Sequence, residues 1–308
     1  MSESAAPAFE EPALKRAKIE DDGDKPTAAF RSESYAIIVY DFEARGDITG
    51  TSKVLFGPMT LASIGASWFI VQINYKNDKI TYANLRFPKE DESAPLPFSD
   101  TFPTMFTDEE WAKLPVTASS FWERNPEAFN ALKENGHVVK EAEQVFGYMS
   151  ASAKRFQAWL DSIRSYMAET SSVTGLIMAT DTASSDSKRL ASYMATADLL
   201  SPPYNQAGKY NGIREWNYDQ LLQDLRLMGK EGEPDLKSAL VPVQRNHLAV
   251  DDAAAQAYEA YWILVWAVAD TKDFEDYTRA MKFDPTKTPN YRLAPERARR
   301  LQHYLTHL

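Results

Sequence analysis

The stretch Ala36-Ile37-Ile38-Val39-Tyr40-Asp41-Phe42-Glu43 constrains this chain more than any other. Its first five residues are small and apolar, β-branched or aromatic, which predicts a buried strand that stops at the acids. Side chains alternate along a strand, so Asp41 and Glu43 share one face at its carboxyl end, where α/β sheets carry ligands. Two carboxylates this close repel each other unless a cation lies between them. An Asp-x-Glu after an apolar run also suits an ordinary strand terminus, so the pair gains meaning only from the rest of the chain.

Two further apolar runs, 63–73 and 79–87, flank the turn 74–78, and the second alternates like an outer strand with one wet face. Strands joined by tight turns predict an antiparallel start to a sheet. Residues 88–116, rich in Pro, Asp, Ser and Thr, read as a long inserted loop of the kind that often selects a substrate. Helical signals follow. Thr117 to Ser120 can cap a helix over 121–135 that stops at Gly136, and Val145, Met149, Phe156, Leu160, Ile163 and Met167 mark a long amphipathic helix within 139–169. A short strand, 175–179, runs into Asp181, and Ser185 and Asp186 can cap the next helix, which ends at Ser201-Pro202-Pro203. Residues 213–227 suit strand or helix equally. The last strong helical stripe covers 250–269, with Tyr258, Tyr261, Trp262 and Trp266 read as core. Together these predict a mixed β-sheet flanked by helices in one α/β domain from 34 to 308.

Residues 1–33 hold few large apolar groups and predict a disordered acidic tail. Inside it Lys15-Arg16-Ala17-Lys18 resembles a nuclear localisation signal, which points to the nucleus; without that cluster the reading is cytoplasmic. Composition excludes several functions. Cysteine is absent from the 308 residues, which removes disulfides, thiolate zinc sites, iron–sulfur clusters and thiol nucleophiles. Lys and Arg number 34 against 44 Asp and Glu, so a broadly basic surface that coats nucleic acid is excluded, and contact with phosphate must be local or run through bound cations. No apolar run approaches the roughly 20 residues of a membrane span, so no membrane partner is expected. The balance reverses over 281–308, where Lys282, Lys287, Arg292, Arg297, Arg299 and Arg300 interleave with Tyr291 and Tyr304. That pattern suits a single strand of nucleic acid, although an ordinary solvated helix end is the favoured reading.

The segment His247-Leu248-Ala249-Val250-Asp251-Asp252-Ala253 puts a histidine in a loop and an acid in the first turn of the helix that follows. Acids also complement a helix N-terminus without further purpose, as Asp186 can by capping its own helix. In chain order, however, Asp-x-Glu ending the first strand, a central Asp at a strand-to-helix junction and His-x(4)-Asp opening a late helix resemble the DEDDh group of DnaQ-like 3′-to-5′ exonucleases. The resemblance extends to Gly57 through Ala66, with its Ile64-Gly65-Ala66, and to the Trp-containing stretch from Thr117 to Ala128. It covers residues 35 to about 269.

The resemblance implies a ribonuclease-H-like fold and two-metal hydrolysis of a phosphodiester at the 3′ end of single-stranded DNA or RNA. It implies that Asp41, Glu43 and Asp252 hold one cation, that Asp41 and Asp186, directly or through water, hold the second, and that His247 is the general base. All the implied ligands are carboxylates, which favours Mg²⁺ or Mn²⁺, and imidazole is the side chain that titrates near neutral pH. Phe42, between two ligands, is the candidate substrate contact. Ala44 stands where the family has a hydroxyl residue, which bears on substrate contacts and leaves the metal ligands intact. The alternative is a non-catalytic member of the fold that binds nucleic acid or a protein. The choice between DNA and RNA, the pathway, the oligomeric state and the role of 88–116 are not encoded in any pattern of the sequence.

Overall fold

The structure, a computed structural model, describes residues 29–44, 61–89, 92–103, 122–181, 183–199, 213–236, 240–284 and 287–307. The strands are β1 (Phe30–Ala44), β2 (Leu61–Lys76), β3 (Lys79–Arg86), β4 (Phe98–Thr101), β5 (Val173–Thr180), β6 (Ile213–Asn217) and β7 (Asn290–Leu293). The helices are α1 (Pro126–Asn135), α2 (Ala142–Ala168), α3 (Ala183–Ala195), α4 (Tyr218–Leu227), α5 (Ala249–Val268), α6 (Thr271–Phe283) and α7 (Pro295–His307). All seven strands form one open mixed sheet in the order β6-β5-β1-β2-β3-β7, with β4 paired to the first part of β2. β1, β2 and β3 are antiparallel neighbours, whereas β5 and β6 run parallel to β1 and are reached through the crossover helices α2 and α3.

Helices cover both faces, and the pleat of β1 assigns each of its side chains to one of them. Ala36, Ile38, Tyr40 and Phe42 pack with α2 and α3, where Val145, Met149, Phe156, Leu160 and Ile163 interlock with the sheet. Ile37 and Val39 face the other way, into a core built with α4, α5, α6 and α7. By the same alternation Asp41 and Glu43 face the α5 side. Helix α5 is buried nearly all round, because the sheet and three helices enclose it. Its rings keep their polar ends satisfied: Trp262 Nε1 donates to the Leu240 carbonyl at 2.8 Å and Trp266 Nε1 to that of Glu231 at 2.8 Å.

Several sequence expectations shift. The strand expected from Ala36 begins at Phe30, because its whole length pairs with β2 and Glu33 to Val39 also zip onto β5. Residues 30–33 therefore belong to the sheet and not to the tail; residues 1–28, with Lys15 to Lys18, lie outside the described residues. The expected loop 88–116 contains β4, whose pairing with Ser63 to Ala66 extends the sheet. In the helix expected from 121, residues 122–124 are helical, the chain breaks at Asn125, and α1 resumes at Pro126, where proline's fixed φ suits the first turn, to end as expected at Gly136. Its proposed caps, Thr117 to Ser120, and the stop Ser201-Pro202-Pro203 lie outside the described residues. Residues 213–227 are both strand and helix, β6 followed by α4 with Asn217 as its N-cap. β3 alternates in burial but is not the sheet edge, since β7 pairs with it.

Candidate metal centre

Asp41 and Glu43 leave β1 beside the end of β5, and the parallel register that sets Val39 against Ala179 brings Asp181 and α3 to the same edge. Asp186 is not the cap expected: α3 starts at Ala183, so Asp186 sits inside its first turn, 2 % exposed. From the opposite face α5 arrives with Asp252 in its first turn. Its close approach depends on Gly65, which pairs with Asp41 in the sheet and lies so near α5 that a Cβ there would stand 2.0 Å from the Ala249 carbonyl oxygen.

The loop before α5 is held by its own acids. Asp252 Oδ1 accepts from the backbone N–H of Asn246 at 2.8 Å and of His247 at 3.1 Å, and Asn246 Nδ2 donates to Asp251 Oδ2 at 2.8 Å. His247 takes φ +61°, a left-handed conformation that costs a non-glycine residue about 1 kcal/mol or more. This turn aims its ring inward: Nδ1 lies 3.7 Å from Glu43 Oε1 and 3.8 Å from Asp252 Oδ2, with 37 % of the side chain exposed. Arg245 braces the loop from behind, donating to Asp181 Oδ2 at 2.9 Å and to Glu259.

The electrostatics of the cluster are those of buried acids crowded together, with Arg189 only partly offsetting their repulsion. Burial, then the charges of Asp186 and Asp252, push the Asp41 carboxyl up to about 7 against a hydrogen bond from Gln256 Nε2 at 3.1 Å. Burial, then Asp41 and Asp252, push Glu43 up to about 9, with Arg189 opposing. Burial also raises Asp186 and Asp252, opposed by Arg189 in the first case and by the backbone N–H of Asn246 and the His247 ring in the second. Among the described residues, ligand atoms of Glu43, His247 and Asp252 lie within 4.8 Å of one another, close enough to hold one metal ion. Buried, mutually repelling oxygen donors fit a hard divalent cation, which would relieve the repulsion that raises these pKa values.

The structure thus brings Asp41, Glu43, Asp186, Asp252 and His247 to one edge of the sheet, and leaves Phe42 out. The Phe42 ring turns to the opposite face, 3 % exposed and edge-on to Tyr193 at a centroid distance of 5.7 Å, so it offers no surface to a ligand. The basic C-terminal segment is largely committed elsewhere. Arg297 pairs with Asp270 and Asp273, Arg300 with Asp270 and Glu296, and Arg292 stacks on Tyr82. Tyr291 is buried and Tyr304 packs against the core. Sequence reasoning missed Gln256 and Arg189, although Gln256 is one helical turn from Asp252 and Arg189 three residues from Asp186, spacings that put each beside its acid.

No family model matches the chain, and no curated protein matches it. Among the described residues no helix is long and apolar enough to cross a membrane.

Proposed function

We propose that this chain is a divalent-cation-dependent 3′-to-5′ exonuclease of the DEDDh kind, with a ribonuclease-H-like fold. One observation carries the reading: Glu43, His247 and Asp252, far apart in the chain, come within reach of one ion, with Asp41 and Asp186 near enough to act on that cluster electrostatically. The order β3-β2-β1-β5-β6, antiparallel then parallel, supports the fold assignment. In this reading Asp41, Glu43 and Asp252 hold one cation, and Asp41 and Asp186, directly or through water, the second. Mg²⁺ or Mn²⁺ held there would supply positive charge to the phosphate and lower the pKa of the attacking water. Asp252 fixes the loop by accepting from the backbone N–H of Asn246 and of His247, and the imidazole takes the proton of that water. The new P–O bond displaces the 3′-oxygen of the preceding nucleotide, which leaves as the alcohol after protonation from solvent.

The test is digestion of 5′-labelled single-stranded DNA and RNA with Mg²⁺, Mn²⁺ or EDTA. A ladder that shortens from the 3′ end, vanishes in EDTA and is absent in Asp41→Ala is expected. A folded, metal-loaded protein that binds either strand and cuts neither would favour the non-catalytic member of the fold. His247→Asn is expected to lower the rate about 10²- to 10⁴-fold, the usual worth of a general base, with Mn²⁺ affinity unchanged. A second reading rests on Nδ1 lying within reach of both Glu43 and Asp252: His247 as a ligand of a single ion. Loss of Mn²⁺ binding in His247→Asn, measured by calorimetry, would select it. We also retain Lys15 to Lys18 as a nuclear localisation signal; a fluorescent fusion whose distribution survives deletion of that cluster would remove it.

A further inference from the structure

We propose that Arg189 is a built-in counter-cation that keeps the second cation position closed until the phosphate of a bound nucleotide draws it away. The inference rests on the reading of the centre given above and concerns what loads it. Arg189 Nη1 donates to Asp186 Oδ1 at 2.8 Å, and Thr180 Oγ1 donates to the other oxygen, Oδ2, at 3.1 Å. Both oxygens of Asp186 are therefore engaged within the protein, and the residue is almost wholly buried. The same guanidinium acts across the cluster on Glu43, whose negative charge it stabilises. The other arginine near the centre, Arg245, is committed to Asp181 and Glu259.

The two cation positions are thus unequal before any ligand arrives. Around Glu43 and Asp252 the adjacent ring is the His247 imidazole, and Arg189 and Arg245 act on these two acids only through space. Around Asp186 a permanent guanidinium already occupies the place a cation would neutralise, and an incoming ion must break its hydrogen bond and meet its charge. Arg189 nevertheless keeps unused donor capacity. Its Nε is buried with no hydrogen-bond partner, so the fork is only partly satisfied by Asp186. A phosphate offers that fork a bidentate partner of higher charge. Substrate would then loosen Arg189 from Asp186 and open the second position, which would tie loading of the centre to the presence of the strand to be cut.

The experiment counts bound Mn²⁺ by the electron paramagnetic resonance signal of the free ion, on the full chain and on Arg189→Met, with and without a nucleoside 5′-monophosphate. For the unaltered chain alone, one ion is expected to bind tightly and a second on the order of tenfold or more weakly, with the nucleotide closing that gap. In Arg189→Met two ions are expected to bind with similar affinity and no nucleotide. Where that variant does not fold, Arg189→Gln, which keeps donors but loses the charge, makes the same comparison. Two equally tight ions in the unaltered chain without nucleotide, or an undiminished gap in the uncharged variants, would overturn the role of Arg189 while leaving the centre intact. No Mn²⁺ binding by any folded form would overturn both.

Discussion

A Gly65→Ala variant is expected to lose about 3–5 kcal/mol of stability, which for a domain of this size is a fall in Tm of very roughly 6–15 °C. The added methyl would stand 2.0 Å from the Ala249 carbonyl oxygen and 2.3 Å from the Val250 nitrogen, and both are backbone atoms that no rotamer change can move. Either α5 tilts off β2 or the strand buckles. Both outcomes shift Asp252 and the His247 loop relative to Asp41 and Glu43, so the folded fraction of the variant should also have lost affinity for Mn²⁺. Thermal unfolding with and without the ion reads both effects. A Tm within 2 °C of the unaltered protein would show that α5 does not sit on Gly65 as described.

Glu43→Gln is expected to act in opposite directions on activity and on stability. Removing one carboxylate ligand should cost several kcal/mol of transition-state stabilisation, a rate loss on the order of 10³-fold. In the metal-free protein the same change removes a buried group that, above its ordinary titration range, folds only by holding a proton among Asp41, Asp252 and Asp186, and so stabilises it. The sign follows from the raised pKa values. Glu43 moves from an ordinary 4.5 to about 9 and Asp41 from 3.8 to about 7, so the folded state binds more protons than the unfolded state between these limits. The stability these groups contribute is fully present below about pH 4 and is lost as pH rises through 7 and 9. The metal-free chain should therefore melt at progressively lower temperature from pH 5 to 9, and Glu43→Gln should melt higher than it at pH 8. Mn²⁺ should reverse that order, stabilising the unaltered chain far more than the variant. A variant less stable than the unaltered chain at pH 8 without metal would contradict the electrostatic account.

Patterns carried by neighbouring residues were legible in the sequence; features set by pairing or packing at a distance were not. Ile37 to Tyr40 are a strand in any context, and the spacing from Val145 to Met167 marks α2 by itself. By contrast Arg31 to Glu33 read as polar tail, and become strand because β2 and β5 offer ladders to pair with. β4 and β7 are four residues each, too short to show a period, and exist because β2 and β3 have free edges at those points. Helix α6 was not read at all, since Phe274 and Met281 are too few to draw a stripe. The acids and the histidine stood out because their types and order are unusual. Arg189 and Gln256 did not, because a cation or an amide beside an acid is commonplace until the fold shows which acid it faces.

Asp41, Glu43, Asp186 and Asp252 are proposed to form one cation centre. Anomalous diffraction from crystals grown with Mn²⁺ and a nucleoside 5′-monophosphate tests it most directly. Two peaks about 3.5–4 Å apart are expected, both touching Asp41, one flanked by Glu43 and Asp252 and the other on the Asp186 side. Well-ordered crystals with no peak at these carboxylates, or with Mn²⁺ bound only elsewhere, would contradict it.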